Sequence, residues 1–257
     1  MKCFQPNNSG NFCKARNEIV AEGLTRGKDL MNIIFKANQE YLDNMKSYTI
    51  KDSCIALAFY GFDMLTLYIA GVILSNSGKY YGVPMAFVCI AIVLLIARFS
   101  GSKVGINRQG LFSGAVTGLI MGMIFLLSYT IIPGIVAGLT FLPAKEIAYN
   151  VFYYFIIIAF EEELSFRGFI QPRLYPLLKK EWITLLVGGI LFVLMHYPFQ
   201  MAARGMNIIE YFPMFIASAP YQLMWHYVFS WFYRRFGNIF GGTILHGFVD
   251  MSMGIFG

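Results

Sequence analysis

The sequence predicts an all-α fold, a polytopic membrane bundle of about seven transmembrane helices, and three observations predict it. Apolar residues make up 57% of the 257 residues, aromatic residues 17% and charged residues only 13%, where soluble domains carry about 25% charged residues. The apolar residues gather into runs near ~20 residues, the length that spans a bilayer as a helix. The basic residues alternate between the connections that join those runs. A membrane β-barrel would read as short alternating segments, and the sequence has no such pattern. The net charge of +6 is therefore read through loop asymmetry and not as a nucleic-acid patch.

The first element is a polar head, residues 1–51, with eight Lys/Arg and five Asp/Glu. Between Ile19 and Met45 its apolar residues recur at roughly helical spacing. Such a stretch is either an amphipathic helix on the cytoplasmic membrane surface or a helical cytoplasmic tail. The first long apolar run begins only after Asp52, so no signal peptide is expected. Residues 52–257 make the membrane domain. Seven apolar runs are predicted there: 53–74, 81–97, 111–132, 147–169, 183–197, 211–232 and 239–256. The punctuation between them suits turns: Ser75-Asn76-Ser77-Gly78, Ser100-Gly101-Ser102, Pro133-Gly134 and Phe236-Gly237-Asn238.

The head, the second connection (Arg98, Lys103, Arg108), the fourth (Arg173, Lys179, Lys180, with Arg167 nearby) and the sixth (Arg234, Arg235) hold 17 of the 20 basic residues. The first, third and fifth hold Lys79, Lys145 and Arg204 alone. The positive-inside rule then gives a multi-pass cell-membrane protein, N-terminus in the cytoplasm and C-terminus outside. Its short loops favour a bacterial membrane over the endoplasmic reticulum. Cys3, Cys13, Cys54 and Cys89 have no metal-type spacing and read as unpaired thiols. Trp182, Trp225 and Trp231 read as interface anchors and packing.

Within the fourth run lies Glu161-Glu162-Glu163-Leu164-Ser165-Phe166-Arg167-Gly168. Charges inside an apolar helix are costly, so they mark function or a solvated loop. The fourth and fifth runs form a hairpin turning near Lys179. Glu162 lies seventeen residues before that turn and His196 seventeen after it. Equal arms return the chain to one depth, roughly 15–20 Å from the cytoplasmic end. His246 and Asp250, nine and thirteen residues past Gly237, reach an overlapping depth. Matched polar residues on two further stretches favour an intramembrane site over a loop. Glu163 and Arg167 stand at i, i+4 in the acid-first order that pairs well. His246 and Asp250 share one helix face by the same spacing, and Phe192 lies one turn from His196. Pro172 is placed to kink or end the motif helix.

Glu162-Glu163-x-x-x-Arg167, Phe192-x-x-x-His196 and His246-x-x-x-Asp250, in that order and each in an apolar helix, resemble the three motifs of the CAAX protease and bacteriocin-processing (CPBP, or Abi) family of intramembrane endopeptidases. The text around them, Phe166-Arg167-Gly168-Phe169-Ile170-Gln171-Pro172-Arg173-Leu174 and Arg235-Phe236-Gly237-Asn238, agrees, and the resemblance spans about residues 144–254. It implies a helical bundle with a polar intramembrane cavity. It also implies that Glu162 and His196 activate water, that His246 and residue 250 stabilise the oxyanion, and that Arg167 with Glu163 holds the carboxylate in place. Many members have Asn at the last position. Asp250 donates a hydrogen bond only when protonated, and otherwise orients His246. The implied partners are the lipid bilayer and a peptide or prenylated protein substrate, with no nucleic acid; the oligomeric state is not given.

The residues themselves allow this chemistry. Water attack on a peptide carbonyl needs a base for the proton and donors for the negative oxygen. Ser165 is a poor nucleophile candidate, with no histidine at helical spacing. Glu162, His196 and His246 also form a common catalytic zinc set, so a zinc-dependent version stands beside the cofactor-free one. His226 reads as a histidine hydrogen-bonded within the bundle, and Asp63 as a lesser candidate for lining the cavity. A proton-coupled transporter is the competing class, although no paired halves with matching Gly/Pro breaks are seen. A non-catalytic immunity or regulatory membrane protein is the third.

Overall fold

Each long apolar run becomes helical, and caps set the ends of several of these helices. The structure, a computed structural model, describes residues 36–257, and its elements lie in one unit, Asn38–Gly257. Cys3, Cys13 and most of the amphipathic stretch expected from Ile19 lie outside the described residues. The end of that stretch forms α1 (Gln39–Ser47), capped by the Asn38 side chain, which accepts from the backbone N–H of Glu40 and Tyr41. Tyr41 and Met45, one turn apart, are buried, and Tyr41 meets Tyr233 edge-on at 5.3 Å. This end of the head therefore packs on protein.

α2 (Ile50–Ser77) starts at a reciprocal Thr49–Asp52 cap and stops at Gly78, whose φ of 68° only glycine adopts without strain. α3 (Gly82–Ser100) ends at Gly101 in the same conformation. α4 (Leu111–Val136) differs from expectation, because Pro133-Gly134 is not a turn. The turn before Pro133, Leu127–Ile131, widens to a π-helix, which accommodates the ring and lets the helix run on. α5 (Ala144–Phe152) opens the motif helix, which continues through two π-helical stretches, Tyr153–Phe160 and Glu163–Ile170. It then breaks around Pro172 into two short turns, Gln171–Arg173 and Tyr175–Leu178. α6 (Glu181–Ala203) returns alongside. α7 (Ile208–Phe236) begins at a reciprocal Asn207–Glu210 cap and ends at Gly237, and α8 (Phe240–Met251) follows.

Seven apolar runs thus give seven helical stretches, and no strand occurs among the described residues. Four of the helices, α2, α3, α4 and α6, are long and apolar enough to cross a membrane. The other three differ from these in charge, polarity or length. The motif helix is charged and broken, α7 carries His226, Gln222 and paired arginines, and α8 has only 12 residues.

α8 packs closely on α4 and the motif helix. Gly114, Gly118 and Gly122 form a buried stripe on α4. A Cβ on Gly118 would lie 2.3 Å from the carbonyl oxygen of Gly241 in α8. Small residues at four-residue spacing let two backbones approach in this way. α6 lies along α2, where Tyr60 donates to the carbonyl of Leu191 at 2.9 Å.

The basic connections gather at one end of the bundle. Lys103 pairs with Glu40 at 2.6 Å, the Asn38 N–H donates to Arg234 O, Arg234 pairs with Glu181, and Arg173 donates to Ser102 Oγ. A separate set of contacts joins the third connection to the C-terminal segment, through Leu142 N–H to Ile255 O and Gly257 N–H to Thr140 O.

Candidate active site

The wide turns of the motif helix aim its three consecutive glutamates at different neighbours. Glu161 accepts from Ser165 Oγ at 2.6 Å, so Ser165 is buried and engaged with a carboxylate. Glu163 is fully buried. Its Oε1 lies 3.2 Å from Arg167 Nη1 and 3.0 Å from His246 Nδ1. Room for that carboxylate depends on Gly242, where a Cβ would come within 3.1 Å of Oε2. Glu162 lies between the histidines, its Oε2 3.9 Å from His196 Nε2 and 3.8 Å from His246 Nε2.

Each imidazole is held from behind. The Phe192 carbonyl lies 2.8 Å from His196 Nδ1. A carbonyl only accepts, so Nδ1 carries the hydrogen and Nε2 is presented to Glu162. For His246, Glu163 takes the Nδ1 hydrogen, while Nε2 lies 3.3 Å from Asp250 Oδ2. The ring stacks on Phe229 at 4.4 Å. The i, i+4 spacing of His246 and Asp250 thus becomes a contact.

Arg167 is fully buried, and besides Glu163 it has an aromatic surround. Its guanidinium lies 4.1 Å from the Phe192 ring centre and 5.4 Å from that of Phe229, at distances where rings attract a cation. Nη2 lies 3.3 Å from His226 Nδ1, and His226 Nε2 faces the Leu185 carbonyl at 3.2 Å. His226 is therefore a bundle histidine, as expected, with an added contact to Arg167 that its place in the sequence does not reveal.

A cavity of about 160 Å³ reaches this centre from one side. Glu162 and His196 lie on its wall, with Asp63 and Cys89, and His246 and Asp250 do not. Asp63 is the lining residue anticipated in the first run; Cys89, read as an unpaired thiol, lies 3.5 Å from its Oδ1. No local spacing relates these two to the motif helix.

Fold and site define a helical membrane protein with a buried centre of glutamates, histidines and an arginine beside a cavity. Residues 144–252, less than half of the chain, match the family model described as type II CAAX prenyl endopeptidase Rce1-like, which agrees with the CAAX protease (CPBP) family that the motifs resemble. The family is one of intramembrane peptide hydrolases. Neither a curated protein nor a solved structure matches the chain. α2 and α3, with Asp63 and Cys89, lie outside the matched residues.

Proposed function

We propose that the chain is an intramembrane endopeptidase in which Glu162 and His196 activate water while His246, oriented by Asp250, meets the oxyanion. The observation that carries this reading is the approach of two imidazole Nε2 atoms, from two helices, to one carboxylate oxygen at 3.9 and 3.8 Å. These separations exceed direct hydrogen bonds and suit a water held among the three groups. Glu162 takes the proton as the water attacks the peptide carbonyl, and later delivers it to the leaving amine. His196 accepts or donates only through Nε2, since Nδ1 is committed to Phe192. His246 has a carboxylate at each nitrogen, which favours two N–H bonds and makes the ring a donor toward developing negative charge. Arg167 and Glu163 position this ring and touch no reacting atom.

The same Oε2 and Nε2 atoms also make the zinc set. A ligand must offer a lone pair, and Asp250 facing His246 Nε2 supports a hydrogen there instead, so the cofactor-free mechanism is the reading adopted. The substrate is a membrane-associated peptide, either a prenylated protein C-terminus or a bacteriocin or signalling peptide. Seven spans, with the N-terminus cytoplasmic and the C-terminus outside, fit the gathering of basic connections at one end.

The test is cleavage of a membrane-associated peptide by purified protein. Glu162→Gln keeps the shape but cannot take the proton, so cleavage should fall by ~10²-fold or more with peptide binding retained. Wild-type cleavage by this variant would remove the base and with it the proposal. Stoichiometric zinc that leaves on both His196→Ala and His246→Ala would establish the zinc version instead.

A further inference from the structure

We propose that Asp63, Cys89 and Glu161 form a binding site for a divalent transition-metal ion, zinc foremost, in the cavity wall beside Glu162. One donor atom from each residue lies within 4.8 Å of the other two. The three come from α2, α3 and the motif helix. They are not loop neighbours that cluster by chance of sequence. All three line the cavity.

A second observation points to a ligand. Asp63 is only 3% exposed, and its Oδ2 is buried with no hydrogen-bond partner among the described residues. Among the described residues, its other oxygen has only the weak thiol contact to Cys89, and the Glu161 carboxylate accepts only from Ser165. Among the described residues, no lysine or arginine lines the cavity. Two carboxylates and a thiol gathered in an apolar wall repel one another when ionised, and a divalent cation relieves all three at once.

The donor set narrows the ion. A thiolate with two carboxylates suits zinc or a similar transition ion, whereas magnesium and calcium prefer oxygen alone. Zinc bonds of ~2.3 Å to sulfur and ~2.0–2.2 Å to oxygen place ligands roughly 3.5 Å apart, so the three groups need close by only about 1 Å. Since all three residues line the cavity, a further ligand to the ion would come from the cavity side. Because Glu161 precedes Glu162, the ion would tie α2 and α3 to the backbone of the proposed base. That makes it a positioning site, distinct from the zinc set of Glu162, His196 and His246. The inference does not depend on the endopeptidase reading.

The experiment uses the full chain with Cys3, Cys13 and Cys54 changed to serine, which leaves Cys89 as its only thiol. Cobalt(II) titration should give one equivalent bound, with a thiolate-to-cobalt charge-transfer band that zinc abolishes. Asp63→Asn and Cys89→Ser should each weaken binding by more than ~100-fold, beyond the loss of an outer-shell partner. Glu162→Gln and His246→Ala should leave the band in place. In the unaltered protein, zinc should protect Cys89 from alkylation, read by peptide mass, so the result does not hang on the variants folding. Absence of the band and of protection would overturn the site and leave a carboxyl pair sharing a proton. A band that survives Asp63→Asn but leaves with His246→Ala would overturn it in favour of the other residues.

Discussion

Gly118→Ala is the smallest change that should move the site without touching it. An added Cβ would lie 2.3 Å from the Gly241 carbonyl oxygen, 3.1 Å from its carbon and 3.2 Å from its Cα. These are backbone atoms, which cannot rotate aside. Carbon–oxygen contacts settle near ~3.3 Å, so α4 and α8 must part by about 1 Å. His246 lies five residues beyond Gly241 on α8 and would move with it. A misplacement of about 1 Å can lower a rate ~10²-fold, while overpacking of this kind costs about 1–3 kcal/mol of stability. Gly114→Ala, one turn earlier, is the control. The three atoms nearest its Cβ all belong to the Phe236 side chain, at 3.3–3.5 Å, which can yield, so cleavage should stay within about threefold, as for sites worth about 0.5 kcal/mol. Cleavage rate and thermal unfolding in the same detergent give both readouts. Equal effects of the two substitutions, or wild-type cleavage by Gly118→Ala, would refute the claim that this backbone contact sets the position of His246.

Other outcomes follow from the same geometry. Arg167→Lys keeps the charge but not the planar fork placed between Glu163, His226 and the Phe192 ring, so cleavage should fall about 10–100-fold, the loss of one charged hydrogen bond; normal cleavage at normal protein level would make the pair a local charge balance. Asp250→Asn still accepts from His246 and can donate as well, so it should stay within about tenfold of wild type while Asp250→Ala falls further. Equal losses in the two would mean that residue 250 does not act by hydrogen bonding. Impermeant thiol labelling of intact cells, with Cys54 and Cys89 replaced, should leave Cys3 and Cys13 unmodified; efficient labelling would reverse the orientation.

The helices were legible because their signals are local. Apolar runs mark them, and Gly101 and Gly237 end them where expected, since a left-handed residue after the last turn has a strong glycine preference. The i, i+4 pairs Glu163–Arg167 and His246–Asp250 were legible for the same reason. The π-helical turns were not. In a run such as Tyr153–Phe160, apolar on every side, no periodicity records how many residues fill a turn. Pro133 reads as a break, yet a wider turn before it restores the helix. The glycine spacing on α4 can be seen in the sequence, but its partner Gly241 can be seen only in the packing. Asp63, Cys89 and Glu161 meet across three helices, and nothing in their separations announces it.

Burial explains why the polar centre hangs together as one network. A guanidinium removed from water needs partners, and Arg167 has one carboxylate, one imidazole and a ring face. The ring contributes about 0.5–2 kcal/mol, less than the 3–5 kcal/mol that breaking a buried pair costs, so Glu163 is the partner that keeps the charge in place. The oxygen that meets Arg167 is the same Oε1 that meets His246 Nδ1. Any movement of the arginine is therefore passed to the imidazole, and through it to the neighbourhood of Glu162. Phe192 repeats the arrangement, since its ring carries the arginine while its carbonyl holds His196. The groups that make the charged residues tolerable in the bundle are the ones that aim both histidines, so a change to either function must appear in the other.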